Sequence, residues 1–108
     1  MVMNELQDQN IHNIQLPDPG AVKKTAIIFR AINHKLRQQI LLLLLQHDRM
    51  KVTDIFERLF LEQSVASQHL GVLRRAGFVK TKREGKFIWY SINPARLSQI
   101  ENAIEALR

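Results

Sequence analysis

Residues 62–77 read EQSVASQHLGVLRRAG, and residues 78–92 continue as FVKTKREGKFIWYSI. The first stretch has the period of a helix. At about 100° per residue, Val65, Ala66, Leu70, Val72, Leu73 and Ala76 gather on one side, with His69 near the middle of that arc. Gln63, Ser64, Ser67, Gln68, Gly71, Arg74 and Arg75 take the other side. An exposed helix face ordinarily carries Glu and Lys. This one is short, uncharged and able to donate or accept hydrogen bonds, and it turns cationic only at its end. Gly77 is placed to stop the helix. Beyond it the period drops to two and the residues become β-branched or aromatic, with Glu84-Gly85 as the tight turn of a hairpin.

Upstream, a short helix is expected from Thr53 or Asp54 to about Leu59, its acidic residues placed favourably for the helix dipole. Only a few residues around Phe60–Glu62 separate it from the next helix, the spacing of a helix-turn-helix. Further back, LPDPG (16–20) starts another helix, with Asp18 as cap and Pro19 at the first position. That helix runs from Ala21 to about Asn33, and its apolar residues, Val22 and Phe29 among them, cover more than one stripe. Such a distribution predicts contact both with its own core and with a second surface. A helix from His34 to Gln46 contains the run ILLLLL (40–45) and is expected to be buried. After Pro94, Leu97, Ile100, Ile104 and Leu107 recur at spacings of 3, 4 and 3, an amphipathic helix with a narrow apolar seam. The predicted fold is therefore mainly α with a β-hairpin wing, a winged helix-turn-helix of order α-α-α-α-β-β-α over residues 17–108. Residues 1–16 are polar and aperiodic and are expected to form a flexible arm.

Bulk properties narrow the function. The 108 residues suit one domain, and an apolar content of 45% is enough for a single core. The absence of cysteine excludes disulfides, thiolate metal sites and thiol sensing, and fits a cytoplasmic protein. No apolar run approaches a membrane span, and the N-terminal residues do not read as a secretory signal. The net charge of +6 is concentrated: residues 34–92 hold 11 basic residues against 5 acidic ones. A polyanionic partner is the natural complement, because phosphate neutralisation releases counterions.

The helix at 63–75 suits the major groove of DNA. Ser64, Ser67 and Gly71 permit close approach, Gln63 and Gln68 match the paired donor and acceptor of adenine, and Arg74 and Arg75 lead into the hairpin. Arg83 and Lys86 flank the turn and reach phosphate or the minor groove. His69 faces inward and is read as a hydrogen-bonded structural histidine, Trp89 and Tyr90 as packing residues. Three other readings compete. The domain could be a protein–protein module whose basic face is incidental. RNA is disfavoured because A-form geometry closes the groove such a helix needs. An enzyme is not expected, since no nucleophile has a base partner and no phosphate-cradling glycines are present.

The segment LEQSVASQHLGVLRRAGFVKTKREGKFIWYSI closely resembles the pattern LSQSxVSxHLxxLxxAGLVxxxREGrxxxYxL of the arsenic-repressor-like (ArsR-type) winged-helix regulators. The resemblance extends back through AINHKLRQQILLLLL and covers roughly residues 21–107. It implies a homodimer, paired through the first and last helices, that represses transcription from a double-stranded DNA operator with a two-fold axis. It places Gln63, Ser64, Ser67 and Gln68 on the DNA-reading positions and Arg83, Gly85 and Lys86 on the wing. Val22, Phe29, Leu97, Ile100, Ile104 and Leu107 would then form the dimer interface. The departures also matter. Where metal-sensing members carry CVCDL this chain has KVTDI (51–55), and no histidine follows His69. The four histidines form no pair at i,i+3 or i,i+4, so no metal or other cofactor is expected and the effector is unknown. Glu62 stands where the family often has Ser.

Overall fold

The computed structural model describes residues 11–108. Of the expected arm, residues 1–10 lie outside the described residues. Residues 11–16 are exposed and begin with a 3-10 turn at Ile11–Asn13. Helix α1 spans Pro19–Ile32, and Asp18 caps it as expected, its Oδ2 accepting from the Ala21 N–H at 2.9 Å. Helix α2 spans Lys35–Leu45, and its cap is His34, whose Nδ1 accepts from the Leu36 N–H at 3.1 Å. The leucine run is only partly buried. Ile40, Leu41, Leu43 and Leu44 enter the core, whereas Leu42 and Leu45 face outward, because a 3.6-residue period cannot turn six successive residues inward.

Strand β1, Met50–Lys51, was not foreseen; two residues are too few for alternation to register. Helix α3 follows at once as Val52–Arg58, one residue earlier than Thr53. Helix α4 spans Gln63–Arg75, the span expected from its periodicity. Strands β2, Val79–Glu84, and β3, Phe87–Ile92, form the hairpin, and helix α5 closes the chain at Pro94–Leu107. The sheet therefore has three antiparallel strands in the order β1-β3-β2, with Met50 opposite Tyr90 and Val79 opposite Ile92. Since Glu84 pairs with Phe87, the turn residues are Gly85 and Lys86, not Glu84 and Gly85. Gly85 takes φ 61 and Lys86 does not follow it into positive φ, the pattern of a type II′ turn.

The core gathers Phe78, Ile40, Leu44, Ile55, Leu70 and Leu73, all fully buried. Helix α4 ends in a Schellman arrangement. Gly77 at φ 82 donates to the Arg74 carbonyl at 3.0 Å, and Phe78 donates to that of Leu73 at 2.9 Å. The same residues receive the far end of the hairpin: the Asn93 side-chain amide donates to the Gly77 carbonyl at 2.8 Å, and its backbone N–H to that of Phe78. Thus α4 and the wing meet at one joint, which sets their relative placement.

The turn between α3 and α4 holds a strained residue. Phe60 has φ 55 and is 96% exposed, so a bulky L-residue occupies left-handed space with no burial to offset the cost. Phe60→Gly is expected to stabilise the fold by about 1 kcal/mol, raising the melting temperature by about 5 °C. An unchanged or lowered melting temperature would show that the exposed ring does stabilise the turn.

Candidate nucleic-acid interface

Helix α4 is anchored on one side and open on the other. Ala66, Leu70 and Leu73 are buried beneath it, while Val65, His69 and Val72 are half-buried at its flanks. Gln63, Ser64, Ser67 and Gln68 are all exposed on the outer side, with Arg74 and Arg75 at the end. Gly71 lies between these groups. A Cβ there would come within 3.2 Å of the Arg75 guanidinium, so the missing side chain lets that cation fold back over the helix.

One arginine sets the tilt of α4 against the helices behind it. Arg37 on α2 donates from Nε to the Ala31 carbonyl at 2.6 Å and from Nη2 to that of Arg30 at 3.2 Å, satisfying the C-terminal end of α1. Its Nη1 lies 3.3 Å from His69 Nδ1, which accepts from it. His69 is thus a hydrogen-bonded structural residue, as its inward position suggested. The ring of His34 lies 4.7 Å from that of His69, a pair made by tertiary packing that no spacing rule along the chain could show. Burial first, then His34 and Arg37, lower the His69 pKa from its ordinary value. Among the described residues no group of three or more His, Cys, Asp or Glu is placed to hold a metal ion.

The wing has two chemically different faces, because side chains alternate along a strand. Lys80, Lys82 and Glu84 share one face with their partners Ser91, Trp89 and Phe87. Thr81 and Arg83 share the other with Tyr90 and Ile88, the face that carries Val79 and Ile92 into the core. Arg83 is therefore at the outer end of the core-facing side, where its Nε donates back to the Gly85 carbonyl at 3.3 Å. Lys86 and Gly85 are exposed at the tip.

Strand β1 adds residues that sequence reasoning left away from the wing. Arg49 bonds Glu84 at 2.9 Å and lies 4.0 Å from the centre of the Trp89 ring, while Lys51 lies 4.5 Å from that of Phe87. The Arg49 hydrogen bond holds the Glu84 carboxyl below its ordinary pKa, with Arg49 and Lys82 charges adding to it. The one acid of the hairpin is thereby neutralised, and the exposed cations around it are left without an internal counter-charge from Glu84. Trp89 has one face covered by Arg49, in keeping with a packing role.

The expected dimer residues divide. Ile100 is 7% exposed and belongs to the chain's own core, so it is not available to a partner; an apolar seam does not reveal which of its members the subunit keeps. Phe29 and Leu97 are half-buried against that core. Val22, Ile104 and Leu107 are exposed at 52%, 42% and 81%.

Comparison with known proteins agrees with this geometry. The sequence model of the bacterial regulatory proteins of the arsR family matches residues 34–81. An HTH-type transcriptional regulator of Methanocaldococcus jannaschii is 35% identical over 85 residues, 79% of this chain and 96% of that one. The biofilm growth-associated repressor of Xylella fastidiosa is 27% identical, with 95% of this chain and 90% of the repressor covered. The solved structure of HlyU from Vibrio cholerae superposes with a TM-score of 0.66 at 30% identity, covering 83% of this chain and 97% of HlyU. HlyU is a transcriptional activator.

Proposed function

We propose that this chain, which belongs to the arsR family of bacterial regulatory proteins, represses transcription as a homodimer seated on a two-fold operator. The family is one of DNA-binding transcriptional regulators with the winged helix-turn-helix fold, not of enzymes. The observation that carries the finer reading is the outer face of α4. Four exposed hydrogen-bonding side chains, Gln63, Ser64, Ser67 and Gln68, stand on a helix whose opposite face is locked into the core. These residues read base edges in the major groove, and Arg74 holds the phosphate beside them. Arg83, Gly85 and Lys86 bring the wing tip to the flanking backbone or minor groove.

The dimer follows from an unsatisfied helix. Of the 14 residues of α1 only Ala31 is buried, and Ala21, Val22, Ala26 and Phe29 line a shallow apolar groove with Pro17, Thr25 and Leu107. A second copy related by a two-fold axis covers that groove with its own α1 and the end of α5, through Val22, Phe29, Leu97, Ile104 and Leu107. Two α4 helices then face successive major grooves, and the occupied site excludes polymerase. Residues 17–108 form this one domain, residues 1–16 a flexible arm ahead of it. No helix among the described residues is long and apolar enough to cross a membrane. The protein acts in the cytoplasm, where its DNA lies, and needs no metal or thiol.

Selection of bound duplexes from random DNA tests the proposal. The expected product is a two-fold repeat with half-sites about 10 bp apart, bound with a steep loss of affinity as salt rises. Equal affinity for that site and a scrambled duplex at physiological salt would overturn it. So would a concentration-independent monomer in sedimentation, and Val22→Glu is expected to produce such a monomer with loss of operator binding. HlyU being an activator, reporter assays with the selected site inside and upstream of a promoter fix the sign of regulation.

A further inference from the structure

We propose that Glu62 selects a cytosine in each half-site, acting as a base reader ahead of the four residues already assigned to α4. The inference rests on α4 being the reading helix. Glu62 is the N-cap of that helix, at φ −63 and ψ 143, and its carboxylate makes no capping hydrogen bond. Ser, Thr, Asp and Asn are the residues whose side chains ordinarily fold back onto the free N–H groups of a first turn. Here the longer carboxylate stays outside the helix, and the first of the next backbone N–H groups to bond within it is that of Ala66, to the Glu62 carbonyl at 3.0 Å. The side chain is exposed, and among the described residues no cation pairs with it, although Arg49, Lys82 and Arg108 all find acidic partners elsewhere.

A free carboxylate immediately before Gln63 and Ser64 is a liability anywhere along a phosphate backbone. It becomes an asset only where DNA presents a donor. In the major groove guanine shows acceptors, thymine an acceptor and a methyl group, and adenine a donor beside the N7 acceptor, which repels a carboxylate. Cytosine N4 is the donor that a carboxylate meets without an adjoining acceptor on the same base, and Glu accepting from it is an established pairing. Glu62 therefore rejects three bases by repulsion and accepts one. It also weakens nonspecific binding, which sharpens the ratio between the operator and the rest of the genome.

The experiment is selection from random duplex DNA with the full chain and with Glu62→Gln and Glu62→Ser. Both variants are expected to fold, as melting curves will check, because the side chain has no partner to lose. The unchanged protein should fix one cytosine per half-site, with about a tenfold to hundredfold preference over other bases there. Glu62→Gln should move that position to adenine, and Glu62→Ser should erase its preference while the remaining positions stand. Both should bind random duplex more tightly than the parent. The proposal is overturned if the parent consensus holds no fixed cytosine, or if all three proteins prefer the same base at every position. A parent that selects no consensus at all overturns the reading of α4 itself.

Discussion

Replacing Ser64, Ser67 and Gln68 together by alanine is expected to reduce discrimination between operator and scrambled duplex by about two orders of magnitude. All three side chains are exposed and make no contact that the fold depends on. Alanine is the best helix former, so the variant should melt at or above the parent temperature, and the loss will be one of reading rather than of structure. Nonspecific affinity should change little, because the cations at Arg74, Arg83 and Lys86 remain. The complementary variant, Arg83→Ala with Lys86→Ala, should do the reverse. It keeps the preference for the operator and flattens the dependence of log K on log salt by about 2, one unit for each lost phosphate contact. Binding measured from low to physiological salt on both duplexes separates the two sets. If the alanine triple loses affinity for scrambled DNA as much as for operator, α4 is not the reading element.

Much of this arrangement was legible in the chain, and the reasons differ from element to element. Helix α4 was legible because its two faces differ in chemistry as well as polarity, so both its limits and its outer side follow from periodicity. The hairpin was legible from its change of period, yet its turn was placed one residue early. Gly85 signals positive φ but does not say whether it comes first or second in the turn, and only the pairing of Glu84 with Phe87 decides that. Strand β1 was not legible at all. Met50 and Lys51 have no strand character of their own and become a strand because Tyr90 and Trp89 lie beside them. With β1 unseen, Arg49 could not be brought to Glu84, nor Lys51 to Phe87. The His34–His69 pair was hidden for a related reason: it joins a cap before α2 to the flank of α4. Ile100 and Ile104 look alike in the seam of α5, but one faces the subunit core and the other faces out, a distinction that belongs to packing.

Arg37→Ala is expected to cost about 2–4 kcal/mol, because one guanidinium serves three elements at once. Its loss leaves the Ala31 and Arg30 carbonyls at the end of α1 without their donors and frees His69 on α4. Arg37→Lys should recover only part of the loss, since a single ammonium cannot reproduce a planar fork aimed at three acceptors. Denaturant unfolding will read both values, and equal stability of the parent and the Ala variant would show that packing alone holds α4. The same cluster predicts acid sensitivity. The His69 pKa is lowered in the folded chain, so below the ordinary value of 6.5 the unfolded chain takes up a proton more readily than the folded one. Stability is then unaffected above that value and falls as pH drops through it, while protonation also removes the lone pair that accepts from Arg37. In Arg37→Ala the acid loss should shrink without vanishing, because one opposing cation is gone but burial and His34, the larger causes, remain. An identical pH profile in the two proteins would mean that Arg37 and His69 are not coupled. The reading face would then owe its orientation to the leucine core beneath α4 rather than to this polar tie.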